Sequence, residues 1–251
     1  MNSWFDGFVL GDMDFLCGWT MSFSQIPTLA VLIKRPSFRR GLPQLSSDLG
    51  PATSLDIAEH LLACAMEDAR SFPGRVVLVI SRSQDEEWAR SLLENVEILV
   101  SDGRGKAHML GAVDGSLRQL GHQKIIYMDT RSPLLDQRDY FEMIARLAKW
   151  DVAVRSDPLG RLVLLASQTG FPVDNALTWE TPKAALELVQ QCEAEGLEVF
   201  ESTSDKYLDV GGDLYLLAEA LKAQPRPARQ SMAKYLKMKV RAGPQTSTAT
   251  G

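Results

Sequence analysis

Four short stretches carry residue types that could do chemistry, and each lies after an expected strand. The densest is Lys34-Arg35-Pro36-Ser37-Phe38-Arg39-Arg40-Gly41, with four cations in eight residues. Arginine offers paired planar donors and lysine a point charge, so Lys34, Arg39 and Arg40 could hold a diphosphate; a solvated surface loop would have the same composition. Asp129 closes the run Lys124-Ile-Ile-Tyr-Met. Its carboxylate could ligate Mg²⁺ or Mn²⁺ through a hard oxygen, or it could close a turn or cap a helix, which Asp129-Thr-Arg-Ser-Pro also permits. In Tyr207-Leu-Asp209-Val-Gly-Gly-Asp213, Asp209 is a candidate second metal ligand, while Asp213 sits where a helix-start role is expected. The turn Ser156-Asp157-Pro158-Leu159-Gly160-Arg161 offers Asp157 and Arg161 as optional functional groups. His60 and His122 are isolated and expected at the surface or at helix ends, and His108 has no nucleophile at an informative spacing. No nucleophile elbow, Walker loop or dinucleotide fingerprint is present.

The elements that must position these stretches alternate. Strands are expected at 28–33, 75–81, 96–100, 124–128, 151–154, 161–166 and 197–200, each a continuous apolar run. Helical spacing of apolar residues covers 51–70, 84–94, 105–120, 136–150, 182–195 and 212–223, with Pro51 in a first turn and Gly196 as a C-cap. Continuous apolar strands between helices argue a three-layer α/β/α fold with a mainly parallel central sheet. The adjacent strands at 151–166 suggest a local antiparallel addition. Ligands of such sheets bind beyond the carboxyl ends of the strands, where the four stretches lie.

Composition narrows the classes. The 251 residues are 45% hydrophobic and 24% charged with net charge −5, which excludes a disordered chain and a strongly basic nucleic-acid binder. Cys17, Cys64 and Cys192 are too few and too scattered for a disulfide framework or a zinc site. No apolar run reaches the roughly 18 residues of a membrane helix, and a cytoplasmic protein is expected. The charge is uneven: from Ala223 onward there are six basic residues and no acidic ones, against 21 basic and 32 acidic residues upstream. Three parts are therefore expected: an accessory segment at 1–25, one domain at 26–224, and a basic tail at 225–251 that is disordered or contacts an acidic partner, a nucleic acid or an anionic surface. The first part is rich in Trp and Phe, contains Asp6, Asp12 and Asp14, and has no Lys or Arg, so it lacks a signal peptide's charged start. It reads as mostly accessory, with Met21 as an alternative start, or as an ordered arm packed on a neighbouring surface.

In order and spacing, several pieces resemble a known group. They are Leu32-Ile-Lys34-Arg-Pro36, Gly50, Gly105, Ile125-Ile-Tyr-Met-Asp129 with Ser132-Pro133, Asp151-Val-Ala-Val, Trp179, Gly196-Leu-Glu-Val-Phe, and Leu208-Asp209 with Asp213-Leu214. From about Leu29 to Leu217 the chain is similar to the bacterial glycosyltransferase-A-type (GT-A) family found near radical-SAM and selenoprotein genes. That family is related to 2-phospho-lactate and molybdenum-cofactor guanylyltransferases. The resemblance implies a nucleotide-diphospho-sugar transferase-like domain, with Lys34 on nucleotide phosphates and Asp129 and Asp209 on a divalent metal. The chain departs from the family where Lys-Thr-Arg becomes Leu42-Pro43-Gln44 and Gly-Ser-Asp becomes Tyr127-Met128-Asp129. It departs again where Asp-Gly-Gly-Tyr becomes Leu159-Gly160-Arg161-Leu162 and Asp-Val-Asp becomes Tyr207-Leu208-Asp209. Bulky groups thus stand where small or charged ones are expected. The expected function is a metal-dependent glycosyltransferase or nucleotidyltransferase-like protein that binds a nucleotide sugar or nucleoside triphosphate. The alternative is a catalytically retired member that binds a ligand or a protein partner.

Overall fold

Thr28–Ile33 form strand β1, and all six residues are buried. A run of leucine and β-branched side chains with no polar alternation suits a strand covered on both faces. The computed structural model describes residues 26–38, 43–101, 110–172, 179, 182–204 and 214–242. Within them, β1 joins β2 (Val76–Ile80), β3 (Glu97–Val100), β4 (Ile125–Asp129), β5 (Val152–Ser156), β6 (Leu162–Ser167) and β7 (Val199–Thr203). The seven strands form one sheet in the order β3-β2-β1-β4-β6-β5-β7. Every neighbouring pair is parallel except those of β6, which runs antiparallel to both β4 and β5. The expected antiparallel addition is therefore the β5–β6 hairpin, set inside the sheet rather than at its edge.

Helices cover both faces. They are α1 (Pro43–Leu49), α2 (Pro51–Ser71), α3 (Glu86–Arg90, after a 3₁₀ turn at Ser83–Asp85), α4 (Leu110–Gln119), α5 (Gln137–Arg146), α6 (Ala184–Ala194), α7 (Leu214–Lys222) and α8 (Pro227–Ala242). One core packs α2, α3 and α5 against Leu29, Val31, Leu78 and Ile126. The other packs α4 and α6 against Ala30, Leu32, Val77 and Tyr127. Helix α2 is apolar on two sides. Leu62, Ala65 and Met66 face the sheet, while Ile57, Leu61 and Cys64 form a third cluster with α1, α7 and α8.

That third cluster differs from the expectation of a tail: residues 227–242 form α8, while 243–251 lie outside the described residues. Pro227 opens α8 at a first-turn position that needs no amide donor. Met232, Ala233 and Leu236 then make an apolar stripe that is buried against α2 and α7. The unbalanced positive charge misled because its counter-charges come from elsewhere in the chain. Arg229 is wholly buried, pairing with Glu67 at 2.7 Å and Asp68 at 2.7 Å. Arg226 also pairs with Asp68, and Lys237 with Glu219 at 2.7 Å. These three cations are thus already matched, which leaves less of this segment for a nucleic acid.

The β5–β6 hairpin is fastened by a glycine. Gly160 has φ +78°, and a Cβ there would sit 3.0 Å from the Cα of Lys183, the residue before α6. Gly160→Ala is expected to destabilise by at least about 1 kcal/mol from the left-handed backbone alone, read as a lower urea midpoint. No described helix is long and apolar enough to cross a membrane.

Candidate functional site

The chain leaves β1 toward β2 and β3 on one side, then returns to place β4 on the other side of β1. The carboxyl ends of β1 and β4 therefore flank a switch point, where connections diverge and leave a crevice. In the β1–β4 register Leu32 lies opposite Asp129, so Lys34 begins two residues beyond that level. The structure thus brings Lys34 and Asp129 to the same end of adjacent strands. Arg39, Arg40, Asp209, Asp213 and His108 lie outside the described residues.

Arg35 is drawn aside. Its guanidinium lies 3.9 Å from the Asp85 carboxylate and 5.9 Å from the centre of the Trp88 ring. With Lys34, Ser81 and Arg82 these groups line a small cavity of about 40 Å³ at the ends of β1 and β2. Asp129 is 8% exposed. Its Oδ1 accepts the Arg131 backbone N–H at 2.8 Å, and Arg131 Nε lies 3.9 Å from Oδ2. Asp129 therefore does close a turn, as one of the two sequence readings allowed. Among the described residues no group of three or more His, Cys, Asp or Glu is placed to hold a metal ion. One carboxylate beside a guanidinium does not make a divalent-cation site, so the described donors alone do not fit Mg²⁺ or Mn²⁺.

The loop after Asp129 is held from behind. Arg229 donates from Nε to the Pro133 carbonyl at 3.1 Å and from Nη2 to the Leu135 carbonyl at 3.2 Å. Arg226 donates to the same Leu135 carbonyl at 2.5 Å. Sequence reading missed this support. The available signal was the Arg226–Arg229 spacing, with Arg226 just before Pro227 and Arg229 in the first turn of α8, beside apolar residues. Ser132, within this loop, is 2% exposed, and its hydroxyl has no partner among the described residues.

The bulky Tyr127 and Met128 do not crowd the strand exit. Tyr127 turns into the core beneath α4 and donates its hydroxyl to Asp114, which also accepts from Arg118 at 2.9 Å. Burial first, then the Asp114 carboxylate, push this phenol well above its ordinary value. Met128 points to the opposite core, where its sulfur accepts the Tyr140 hydroxyl at 3.2 Å. These residues thus fill the interior, and they are not evidence of a blocked site. Tyr127→Phe is expected to cost about 1–2 kcal/mol, because Asp114 stays buried with one partner fewer; urea unfolding measures it.

Two other sequence candidates are structural. Asp157 is 3% exposed and accepts from the Leu159 and Arg161 amides at 3.0 and 2.8 Å and from Arg161 Nε at 2.6 Å. It organises its own hairpin turn. His122 is not at the surface: it is 3% exposed, with Nδ1 2.9 Å from the Thr28 hydroxyl and Nε2 3.3 Å from Glu97. Thr28 is the first residue of β1, so this histidine sits at the end of the sheet away from Lys34. The His60 ring lies 4.9 Å from that of Tyr235, tilted by 43°, and its pKa is lowered by burial against the opposing pull of Asp56 and Glu59.

No protein-family model matches the sequence. No curated protein matches it. Solved structures do match. A protein from Desulfovibrio desulfuricans G20, provisionally described as a nucleotide-diphospho-sugar transferase, superposes with a TM-score of 0.73 at 14% identity, over 88% of this chain and 98% of that one. A cytidylyltransferase from Leptospira borgpetersenii superposes more loosely, with a TM-score of 0.47 at 12% identity over 90% of this chain and 99% of that one. The chain shares the fold of the Desulfovibrio protein, and at such identity the likeness concerns the fold alone.

Proposed function

We propose that the carboxyl ends of β1 and β4 bind the phosphates of a nucleotide or nucleotide sugar, and that the protein transfers a nucleotidyl or glycosyl group. The observation that carries the reading is the reversal of strand order between β1 and β4, with Lys34 and Asp129 at its two sides. Lys34 meets phosphate oxygens as a point charge, joined by Arg39 and Arg40 from the same loop. Asp129 and Asp209 are the carboxylates that would hold Mg²⁺ or Mn²⁺, and such an ion supplies charge neutralisation of the departing diphosphate. The described residues contain only one of these acids, Asp129. What this chain's own residues do is electrostatic: they fix the phosphates and screen their charge at the ends of β1 and β4.

A second reading has one observation in its favour. The Asp129 carboxylate is occupied by its own turn and by Arg131, which suits a member that keeps the fold for ligand or partner binding without turnover. Thermal shift with a panel of nucleoside triphosphates and nucleotide sugars, with and without Mn²⁺, reports nucleotide binding, and release of diphosphate or of the spent nucleotide from the stabilising ligand reports turnover, which only the transferase reading expects. The transferase reading expects stabilisation by at least one nucleotide, about 2.7 kcal/mol at a hundredfold excess over Kd. Lys34→Ala is then expected to weaken that ligand by about 10–150-fold, the loss of one charge-assisted contact. If no nucleotide stabilises the protein in either condition, the transferase reading is wrong.

A further inference from the structure

A large cavity lies far from the strand exits. It is an open groove of about 1100 Å³ beside Val76 and Glu97, the first residues of β2 and β3, at the amino end of the sheet. Its walls combine apolar side chains (Phe72, Leu92, Leu93 and Val96) with the arginines Arg70, Arg75 and Arg90. Leu92, Leu93 and Val96 are only partly buried against the core, so the groove leaves apolar surface uncovered. Arg70 spans it, donating to the Leu92 carbonyl at 2.9 Å. Of its two acids, Glu94 and Glu97, the second is turned toward His122 at 3.3 Å.

The chain enters the fold at this groove. A Cβ on Gly74, one of the lining residues, would lie 2.4 Å from the Pro27 carbonyl oxygen and 2.8 Å from Cγ2 of Ile26. Only a glycine lets the incoming backbone pass so closely. The 25 residues before Ile26 carry Trp4, Phe5, Phe8, Phe15, Trp19 and Phe23, together with Asp6, Asp12 and Asp14 and no Lys or Arg.

We infer that residues 1–25 dock as an aromatic, acidic strap in the arginine-lined groove between the end of α2 and the start of β3. The fit rests on three features: the strap begins at the groove, its charge is opposite to that of Arg70 and Arg75 (Arg90 already pairs with Glu86 at 2.6 Å), and its rings match the uncovered leucines. Each aromatic ring buries about 150–250 Å² when it docks. Attachment at Ile26 makes the contact intramolecular, at an effective concentration on the order of mM, so modest contacts suffice. This inference does not depend on the nucleotide reading.

Cys17 offers the test, because Cys64 and Cys192 are buried and Cys17 is the third cysteine of the chain. The full-length protein is spin-labelled at Cys17, and paramagnetic broadening of backbone amide signals is mapped by NMR. Broadening is expected at amides around 69–76 and 90–97. It should weaken both in Arg70→Glu/Arg75→Glu and in Asp12→Lys/Asp14→Lys; the second variant leaves the described fold untouched. Absence of broadening, broadening centred on the loops after β1 and β4, or a pattern unchanged by both charge reversals overturns the assignment. Broadening that appears only between labelled and unlabelled molecules in a mixture assigns the groove to a second copy, and also overturns it.

Discussion

Arg229→Met is expected to cost about 3–5 kcal/mol of folding stability, the range for removing one partner of a buried ion pair. For a chain of this size that corresponds to a fall in Tm of roughly 6–20 °C. Methionine fills much of the same volume, so the loss is electrostatic and not a cavity effect. The guanidinium is wholly buried and serves five acceptors: the carbonyls of Cys64, Pro133 and Leu135 and the carboxylates of Glu67 and Asp68. Without it, Asp68, itself 2% exposed, keeps only Arg226 and the Tyr140 hydroxyl. Burial raises the Asp68 pKa, and Arg229 and Arg226 draw it back. In the variant the carboxyl rises further, so the folded state binds a proton over a pH range where the unfolded state does not. Stability of the variant therefore falls as pH rises above the ordinary carboxylate range, and its deficit against the parent is smallest in acid. Urea unfolding at pH 5 and pH 7.5 measures both effects. A deficit below about 1 kcal/mol, or one equal at the two pH values, contradicts the account.

The second large effect is expected at Arg155→Met. Arg155 is 6% exposed on β5, donating to Asp139 at 2.6 Å, to Glu142 at 2.5 Å and to Ser202 at 3.3 Å. It thereby fastens α5 to β5 and β7. Asp139 is buried and also completes the capping box of α5 by accepting the Asp136 amide at 2.7 Å. Losing Arg155 is expected to cost about 3 kcal/mol, the low end of the buried-pair range, because Glu142 is solvent-screened. Burial pushes the Glu142 pKa up, but the bonds from Arg155 and Arg146 outweigh it, and the net position is below the ordinary 4.5. A carboxyl depressed by folding contributes stability above its unfolded pKa and loses it as pH falls through the folded value. The parent should therefore lose this contribution below about pH 4.5, and the variant should show a shallower acid limb. Denaturant midpoints between pH 3 and 6 test it; parallel curves would refute the role given to Glu142.

Much of the sheet was legible because its strands are continuous apolar runs that only a two-sided cover can bury. β1 falls on Thr28–Ile33, and the antiparallel pair was visible in the short spacing between 151–154 and 161–166. The strand order was not legible, since nothing local in Lys34 or Asp129 encodes that their strands are neighbours. α8 was missed for a related reason: its basic residues look solvated until Glu67, Asp68 and Glu219 are brought against them. Tyr127 and Met128 misled in the opposite direction. Their size suggested a crowded site, whereas the two-residue period of a strand sends them into opposite cores. At the site, Lys34 and Asp129 were legible as residues, but Asp129's turn and the two arginines behind its loop are products of folding.

The pairing of Asp68 with α8 also sets a schedule for biosynthesis. Asp68 and Arg229 are 161 positions apart, and Arg226 stands only three positions before Arg229. At about 5–20 residues per second, a ribosome takes roughly 8–30 s to travel from one to the other. Throughout that interval the nascent α2 carries an acid destined for the interior with neither guanidinium yet made. The final closure around the β4 loop therefore waits for the last helix to be translated, so a ribosome stalled before Arg226 would leave a chain with this corner open.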